Sequence, residues 1–256
     1  MSTTDDRNHE SRAPLLSLRR VSRFYRPDRP ALVDVSFDVQ RGEFLYVAGA
    51  SGAGKSTLLR LLHLAELPDT GRLLFAGHDV SQLRRTAISV LRRSTGVIFQ
   101  DYKLISDLSV KANVGLPLEV QGFSPRRIRS RVHEVLERVG LHKSSEDLAG
   151  GLSGGEQQRV AVARAIVGHP ELILADEPTG SLDTYSADYV LDLLEKARDE
   201  GATVVLATHD RMLMAARPHR TMALERGRMV GISSDGSRRR PAPGAQRDDA
   251  SLERAV

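Results

Sequence analysis

The segment Gly49-Ala50-Ser51-Gly52-Ala53-Gly54-Lys55-Ser56 constrains this chain more than any other feature. It matches the pattern G-x-x-x-x-G-K-[ST] at every fixed position, behind the apolar run 44–48 and ahead of the helical pattern 57–64. A strand, a glycine-rich turn and a helix in that order gather backbone N–H groups around an anion without Cβ clashes. The helix adds its positive N-terminal end to the same place. Lys55 is set to reach the outer phosphates of a nucleotide, and the Ser56 hydroxyl to ligate Mg²⁺. The bland alternative, a glycine turn between strand and helix, does not account for the full motif with both flanks intact.

The rest of the chain supplies a frame for such a loop. Residues 16–21 and 31–39 read as paired strands, and 96–99, 172–175 and 203–207 are continuous apolar runs of strand length. Such runs suit a parallel sheet buried on both faces. Helical patterns follow at 55–64, 185–198 and 211–216, so the alternation predicts an α/β core. Residues 109–168 carry helical periodicity and no good strand. Within them Ser124 and Pro125 fit the N-cap and first position of a helix ending near Gly140. This predicts an inserted helical subdomain over about residues 103–168. Residues 1–14 and 233–256 have the composition of disordered tails, the second carrying Arg238, Arg239 and Arg240, which leaves one domain over 15–232.

Composition removes several chemistries. The 256 residues include no cysteine, which excludes disulfides, thiol nucleophiles and thiolate metal sites. Aromatics make up 4% with no Trp, too few for a base-stacking platform, so no specific nucleic-acid partner is expected. The net charge of +4 fits either anionic partners or a solvated arginine-rich surface. Arg126, Arg127, Arg129 and Arg131 crowd one predicted helix whose apolar face is Ile128, Val132, Val135, Leu136 and Val139. The first residues are polar and mixed in charge, and no run approaches the roughly 18 apolar residues of a membrane span. The expected place is the cytoplasm.

A second motif ends the apolar run 172–175 in Asp176-Glu177. Acids at the end of a buried strand need a reason, and Mg²⁺ supplies one for Asp176. Glu177 could then polarise an attacking water as general base. The local alternative is an acidic turn capping the next helix. A third motif, Leu152-Ser153-Gly154-Gly155-Glu156-Gln157, is a helix start in which Ser153 and Glu156 form a capping box. Behind its glycines lies a second anion-binding helix end, distinct from the phosphate loop.

With these residues in place the chain resembles the ABC-type ATPases over roughly residues 15–231. The resemblance implies a P-loop NTPase core with an antiparallel β subdomain and an inserted helical subdomain. It implies a Walker A loop from Gly49 to Thr57, and it makes Leu152-Ser153-Gly154-Gly155-Glu156-Gln157 the signature sequence. Tyr25, with Phe24 beside it as the other register, would stack on adenine. Gln100 would be the Q-loop residue and a metal ligand, Asp176 the Walker B aspartate on Mg²⁺, and Glu177 the catalytic glutamate. Asp183 in Ser181-Leu182-Asp183 would belong to the D-loop, and His209 would be the switch histidine at the γ-phosphate. Catalysis would rest on Glu177, His209, Gln100 and Lys55, with ATP and Mg²⁺ bound. Two copies would pack head to tail as a homodimer, each ATP lying between one copy's loop and the other's signature helix.

Ala53, Gly77-His78-Asp79, Asp101 after Gln100, the run 113–118 and Val139-Gly140-Leu141 together resemble the FtsE branch. That resemblance implies a polytopic FtsX-like membrane partner docked near residues 100–108. Contact with the inner face of the cell membrane would run through that partner alone, and turnover would regulate peptidoglycan hydrolases in division. Tyr102-Lys103-Leu104-Ile105 departs from the His-rich stretch common there. The alternative is the ATPase subunit of a lipoprotein or macrolide export system. A soluble ABC ATPase of DNA repair or translation would need a coiled coil, zinc cysteines or a second cassette, which the chain lacks.

Overall fold

A computed structural model describes residues 13–26 and 29–233. The tail expectations for residues 1–12 and 234–256, with Arg238, Arg239 and Arg240, lie outside the described residues. The chain opens with β1 (Leu16–Arg26), β2 (Arg29–Val39), β3 (Phe44–Ala48) and α1 (Lys55–Leu62). β4 (Thr70–Phe75), β5 (His78–Asp79), α2 (Arg85–Arg93) and β6 (Thr95–Ile98) follow. Three helices come next: α3 (Val110–Val120), α4 (Pro125–Arg138) and α5 (Gly154–Ile166). The chain then runs through β7 (Leu172–Asp176), α6 (Thr184–Asp199), β8 (Thr203–Thr208) and α7 (Arg211–Ala216) to β9 (Arg220–Glu225) and β10 (Arg228–Ile232).

The strands form two sheets. An antiparallel sheet has the order β2-β1-β4-β5, and a mixed sheet has the order β10-β9-β3-β8-β7-β6. In the second sheet β3 pairs in parallel with β8 and β9, and β7 in parallel with β6 and β8. Period-two alternation divides its side chains between two cores. Phe44, Tyr46, Ile173, Ala175, Val204 and Leu206 face the helices α3 to α6. Leu45, Val47, Leu172, Leu174, Val205 and Ala207 face α1 and the antiparallel sheet. Both faces are covered, which is why these strands read as unbroken apolar runs.

The α/β core and the strands read from apolar runs are therefore observed. β4, β5, α2, β9 and β10 were not foreseen. The first half of β4 and most of β10 are exposed, so neither shows a clean apolar period; α2 packs Ile88 and Leu91 on the core, though none of its residues is fully buried. Pro125 takes the first turn of α4 as its chemistry suggests, with Ser124 at the N-cap, though its hydroxyl makes no capping bond.

α5 lies hard against the strand that leads to Gln100. A Cβ added at Gly96 on β6 would sit 2.3 Å from the Ala165 carbonyl oxygen. Both atoms belong to regular backbone and neither can yield. Gly96→Ala should lower the unfolding free energy by about 1–3 kcal/mol. Gly231→Ala, with nothing within 4 Å of the added carbon, should stay within about 0.5 kcal/mol. Urea titration of the two variants checks both.

Candidate functional site

The phosphate loop leaves β3 and enters α1 through Gly54, whose φ of 108° is the left-handed geometry that glycine adopts freely. An added Cβ there would meet the Ala31 carbonyl oxygen at 2.7 Å, so the position is closed on both counts. α1 then begins with Lys55, Ser56 and Thr57, and its free N–H groups face the loop.

A cleft of about 840 Å³ opens over this loop. Tyr25, Ser51, Gly52, Gly54, Lys55, Ser56 and Thr57 line one side. Gln100, Asp176, Glu177, Ser181 and His209 line the other, brought from the ends of β6, β7 and β8. Residues far apart in sequence thus meet at the C-terminal edge of the parallel strands, where open α/β sheets hold ligands.

At the centre is a chain of charges. Lys55 Nζ donates to the carbonyls of Gly49 at 2.6 Å and Ala50 at 3.2 Å, and lies 3.2 Å from Glu177 Oε1. The same oxygen is 2.8 Å from His209 Nδ1. Lys55 and Glu177 are 7% and 11% exposed, so each needs the other, whereas His209 is largely in solvent. Glu177 itself has φ 46°, a left-handed conformation that costs a non-glycine residue about 1–2 kcal/mol. It turns the chain out of β7 directly beneath the loop. Next to it, Asp176 Oδ1 is buried and has no hydrogen-bond partner.

Tyr25, not Phe24, lines the cleft. Its hydroxyl lies 3.4 Å from Thr57 Oγ1, donates to Glu66 at 3.2 Å and accepts from Arg60 at 3.1 Å, and the half-exposed ring has the Arg23 guanidinium over it, 5.5 Å from the centroid. Gly49, Ala50 and Ala53 do not line the cleft, and Gly49 and Ala50 hold Lys55 through their carbonyls. Arg26, Arg226 and Gly227 do line it and were not foreseen. Arg226 and Gly227 both have positive φ and form the two-residue turn between β9 and β10. The string Glu225-Arg226-Gly227-Arg228 was a hairpin signal, but the weak apolar pattern of its strands hid it.

Ser153, Gly154, Gly155, Glu156, Gln157 and Asp183 lie outside the cleft. Ser153 and Glu156 close the expected capping box on α5, and Asp183 caps α6 by accepting from Ser186 N at 2.9 Å. The single chain therefore presents two separate helix-end features, the loop in the cleft and the α5 terminus beside it. Among the described residues no cluster of three or more His, Asp or Glu could hold a metal by itself. The Asp176 orphan and the nearby Ser56 hydroxyl instead suit a cation completed by phosphate and water.

Comparison with known proteins gives a consistent picture. The family profile for ABC transporters matches residues 32–180. The cell division ATP-binding protein FtsE of Streptococcus pneumoniae is 43% identical over 222 residues, covering 87% of this chain and 96% of that one. FtsE of Escherichia coli is 43% identical over 217 residues, covering 85% and 98%. A macrolide export ATP-binding/permease protein of Paracoccus denitrificans is also 43% identical, over 89% of this chain but 35% of its own length. Among solved structures, a dimeric ATP-binding cassette in a post-hydrolysis state bound to ADP and Pi superposes with a TM-score of 0.79 at 32% identity, covering 86% and 98%.

The capping box yields a pH-dependent prediction. The Ser153 hydroxyl, and after it the Ser153 backbone N–H, hold the Glu156 carboxyl below the usual carboxylate range. A carboxyl lowered in the folded state stabilises above its unfolded pKa of about 4.3 and loses that contribution as pH falls through the folded value. Glu156→Ala should therefore be less stable than the parent at pH 7, with the gap closing in acid. Ser153→Ala should cost about 1 kcal/mol at pH 7. Urea melts at several pH values read both.

Proposed function

The chain belongs to the ABC transporter family and to its FtsE branch of cell-division ATP-binding proteins, and from that premise we propose that it is the ATP-hydrolysing subunit of an FtsEX-like complex. ATP hydrolysis is the activity of the family, and the observation that carries the assignment of residues is Glu177 Oε1 held between Lys55 and His209 under the phosphate loop. The unit is residues 15–232, with a helical subdomain at about 103–168.

In this reading the loop from Gly49 to Thr57 wraps the phosphates with its N–H groups. Lys55 exchanges its Glu177 contact for phosphate oxygens. Glu177 is then free to accept a proton from the attacking water, and His209, next to it, donates toward the γ-phosphate as ADP and phosphate separate. Gln100 closes the cleft from the end of β6, and the Tyr25 ring carries the adenine. Mg²⁺, when bound, would supply charge neutralisation at the phosphates, held by Ser56, Gln100 and Asp176.

The second helix end, at Ser153, Gly154, Gly155, Glu156 and Gln157, serves the nucleotide of the other copy in a head-to-tail homodimer, with Asp183 beside it. The structural neighbour that is dimeric with ADP and Pi supports dimerisation. Among the described residues no helix is long and apolar enough to cross a membrane. Contact with the inner face of the membrane is therefore assigned to an FtsX-like polytopic partner, through which ATP turnover regulates peptidoglycan hydrolases. The export alternative rests on a relative of which this chain spans 35%.

Glu177→Gln should bind Mg·ATP with unchanged affinity, lose hydrolysis by at least about 100-fold, and accumulate as a dimer on size exclusion with ATP. A variant that stays monomeric at saturating ATP would overturn the head-to-tail reading. Depletion of the protein in its own cells should give filaments or chains. Normal division with mislocalised lipoproteins would support export.

A further inference from the structure

The turn just after Gln100 is held in a costly conformation. Tyr102 and Lys103 have φ of 60° and 49°, so consecutive non-glycine residues are left-handed. Short local bonds fold the turn back: Tyr102 N donates to the Phe99 carbonyl at 3.1 Å and Lys103 N to the Asp101 carbonyl at 2.6 Å. Such a pair persists only when its surroundings hold it.

What holds it comes from α5. Arg164, on the same helix that begins at Ser153, donates from NH2 to the Tyr102 carbonyl and from NH1 to the Lys103 carbonyl, each at 2.7 Å. A planar guanidinium meets both carbonyls with a rigid fork, a fixed geometry that a flexible lysine does not reproduce. Burial lowers the Arg164 pKa with no carboxylate raising it. Its stabilising partners are thus those two backbone oxygens.

The turn in its strained form aims the Tyr102 ring at the neighbouring loops. The Tyr102 hydroxyl lies 3.0 Å from Ser181 Oγ, a residue of the cleft wall beside Gly180. It also covers the start of α5: a Cβ on Gly154 would come within 3.3 Å of that oxygen. One hydroxyl therefore bonds the segment that carries Asp183 and lies over the helix end that carries the signature sequence, where the missing Cβ of Gly154 leaves it room. It sits two residues beyond Gln100 in sequence.

We infer that Tyr102, held by Arg164, is a positioning residue that ties the Gln100 loop of the cleft to Ser181 and to the N-terminus of α5. The inference rests on the proposed reading, in which Gln100 serves a copy's own nucleotide while the α5 terminus and Asp183 serve the other copy's. Movement of Gln100 toward bound nucleotide then shifts the parts that complete the opposite half-site. Tyr102 does not line the cleft and acts through these loops.

Steady-state ATPase kinetics on the full chain test it. Tyr102→Phe should lower kcat by about 3–10-fold, the loss of one hydrogen bond between neutral groups, while a fluorescent ATP analogue binds within about 2-fold of the parent. Ser181→Ala should give the same loss, and the double variant should be no worse than either alone. Arg164→Lys, which keeps the charge but not the fork, should reproduce the fall in kcat while the fluorescent ATP analogue again binds within about 2-fold of the parent. Multiplying losses in the double variant, or a Tyr102→Phe kcat within 2-fold of the parent, would overturn the link. A large loss in Gln100→Ala with none in Tyr102→Phe would sink this inference alone, and no loss in either would sink the site reading with it.

Discussion

The site depends on backbones that approach more closely than side chains would permit. The phosphate loop is gripped between β2 of the antiparallel sheet and the β9–β10 turn of the mixed sheet. Gly227 N donates to the Ala53 carbonyl at 2.9 Å, and Val33 N donates to the Gly227 carbonyl at 2.8 Å. The absent Cβ of Gly49 would fall 2.4 Å from the Leu224 carbonyl oxygen. Loop, strand and turn therefore fix one another, and the loop's N–H groups are aimed before any ligand arrives. Groups arranged in advance need little reorganisation at the moment of reaction, which is where such sites draw most of their power. The Arg226-Gly227 turn that fastens the loop also forms part of the cleft wall.

Within that frame the charged groups are satisfied unequally. Lys55 is surrounded by acceptors, two of them loop carbonyls and the third Glu177. Asp176, at the end of the same strand, keeps a buried oxygen with no partner. A buried amine paired with a carboxylate is stable but easily exchanged for a more highly charged anion, because phosphate oxygens replace the lost contact. The exchange leaves Glu177 with His209 alone. In the proposed reading, nucleotide binding and release of Glu177 as base are one event, set by the reach of a single lysine. The left-handed backbone of Glu177 keeps its carboxylate under the loop rather than along the strand axis.

The sequence disclosed these groups because their chemistry leaves little freedom in residue type or spacing. A phosphate loop needs its glycines, lysine and hydroxyl at fixed offsets, and strands buried on both faces must be apolar throughout. What stayed hidden was of a different kind. β10 lies at an edge of the fold with little burial, so it carries no period to read. Arg26 and Arg226 reach the cleft only because the two sheets meet there, a tertiary fact with no local signature. Arg164 reads in sequence as one more arginine on a helix. Its meaning lies in two carbonyl oxygens some sixty positions earlier, whose left-handed turn contains no glycine to announce it.

The second helix end shows why one chain is half a site in the proposed reading. The α5 terminus already holds an anion of its own, since Glu156 Oε2 accepts from Ser153 Oγ at 2.6 Å and Ser153 N at 3.0 Å. A negative side chain there offsets the helix dipole and lowers the attraction of that end for a further negative group. Gly154 and Gly155 leave the surface open to a close approach, but approach alone does not give affinity. In the proposed head-to-tail dimer, a triphosphate would be held by the loop of one copy before the α5 end of the other meets it. In that reading the capping box opposes binding to α5 alone and favours a nucleotide already fixed in place. That ordering would link assembly of the proposed dimer to occupancy of the cleft.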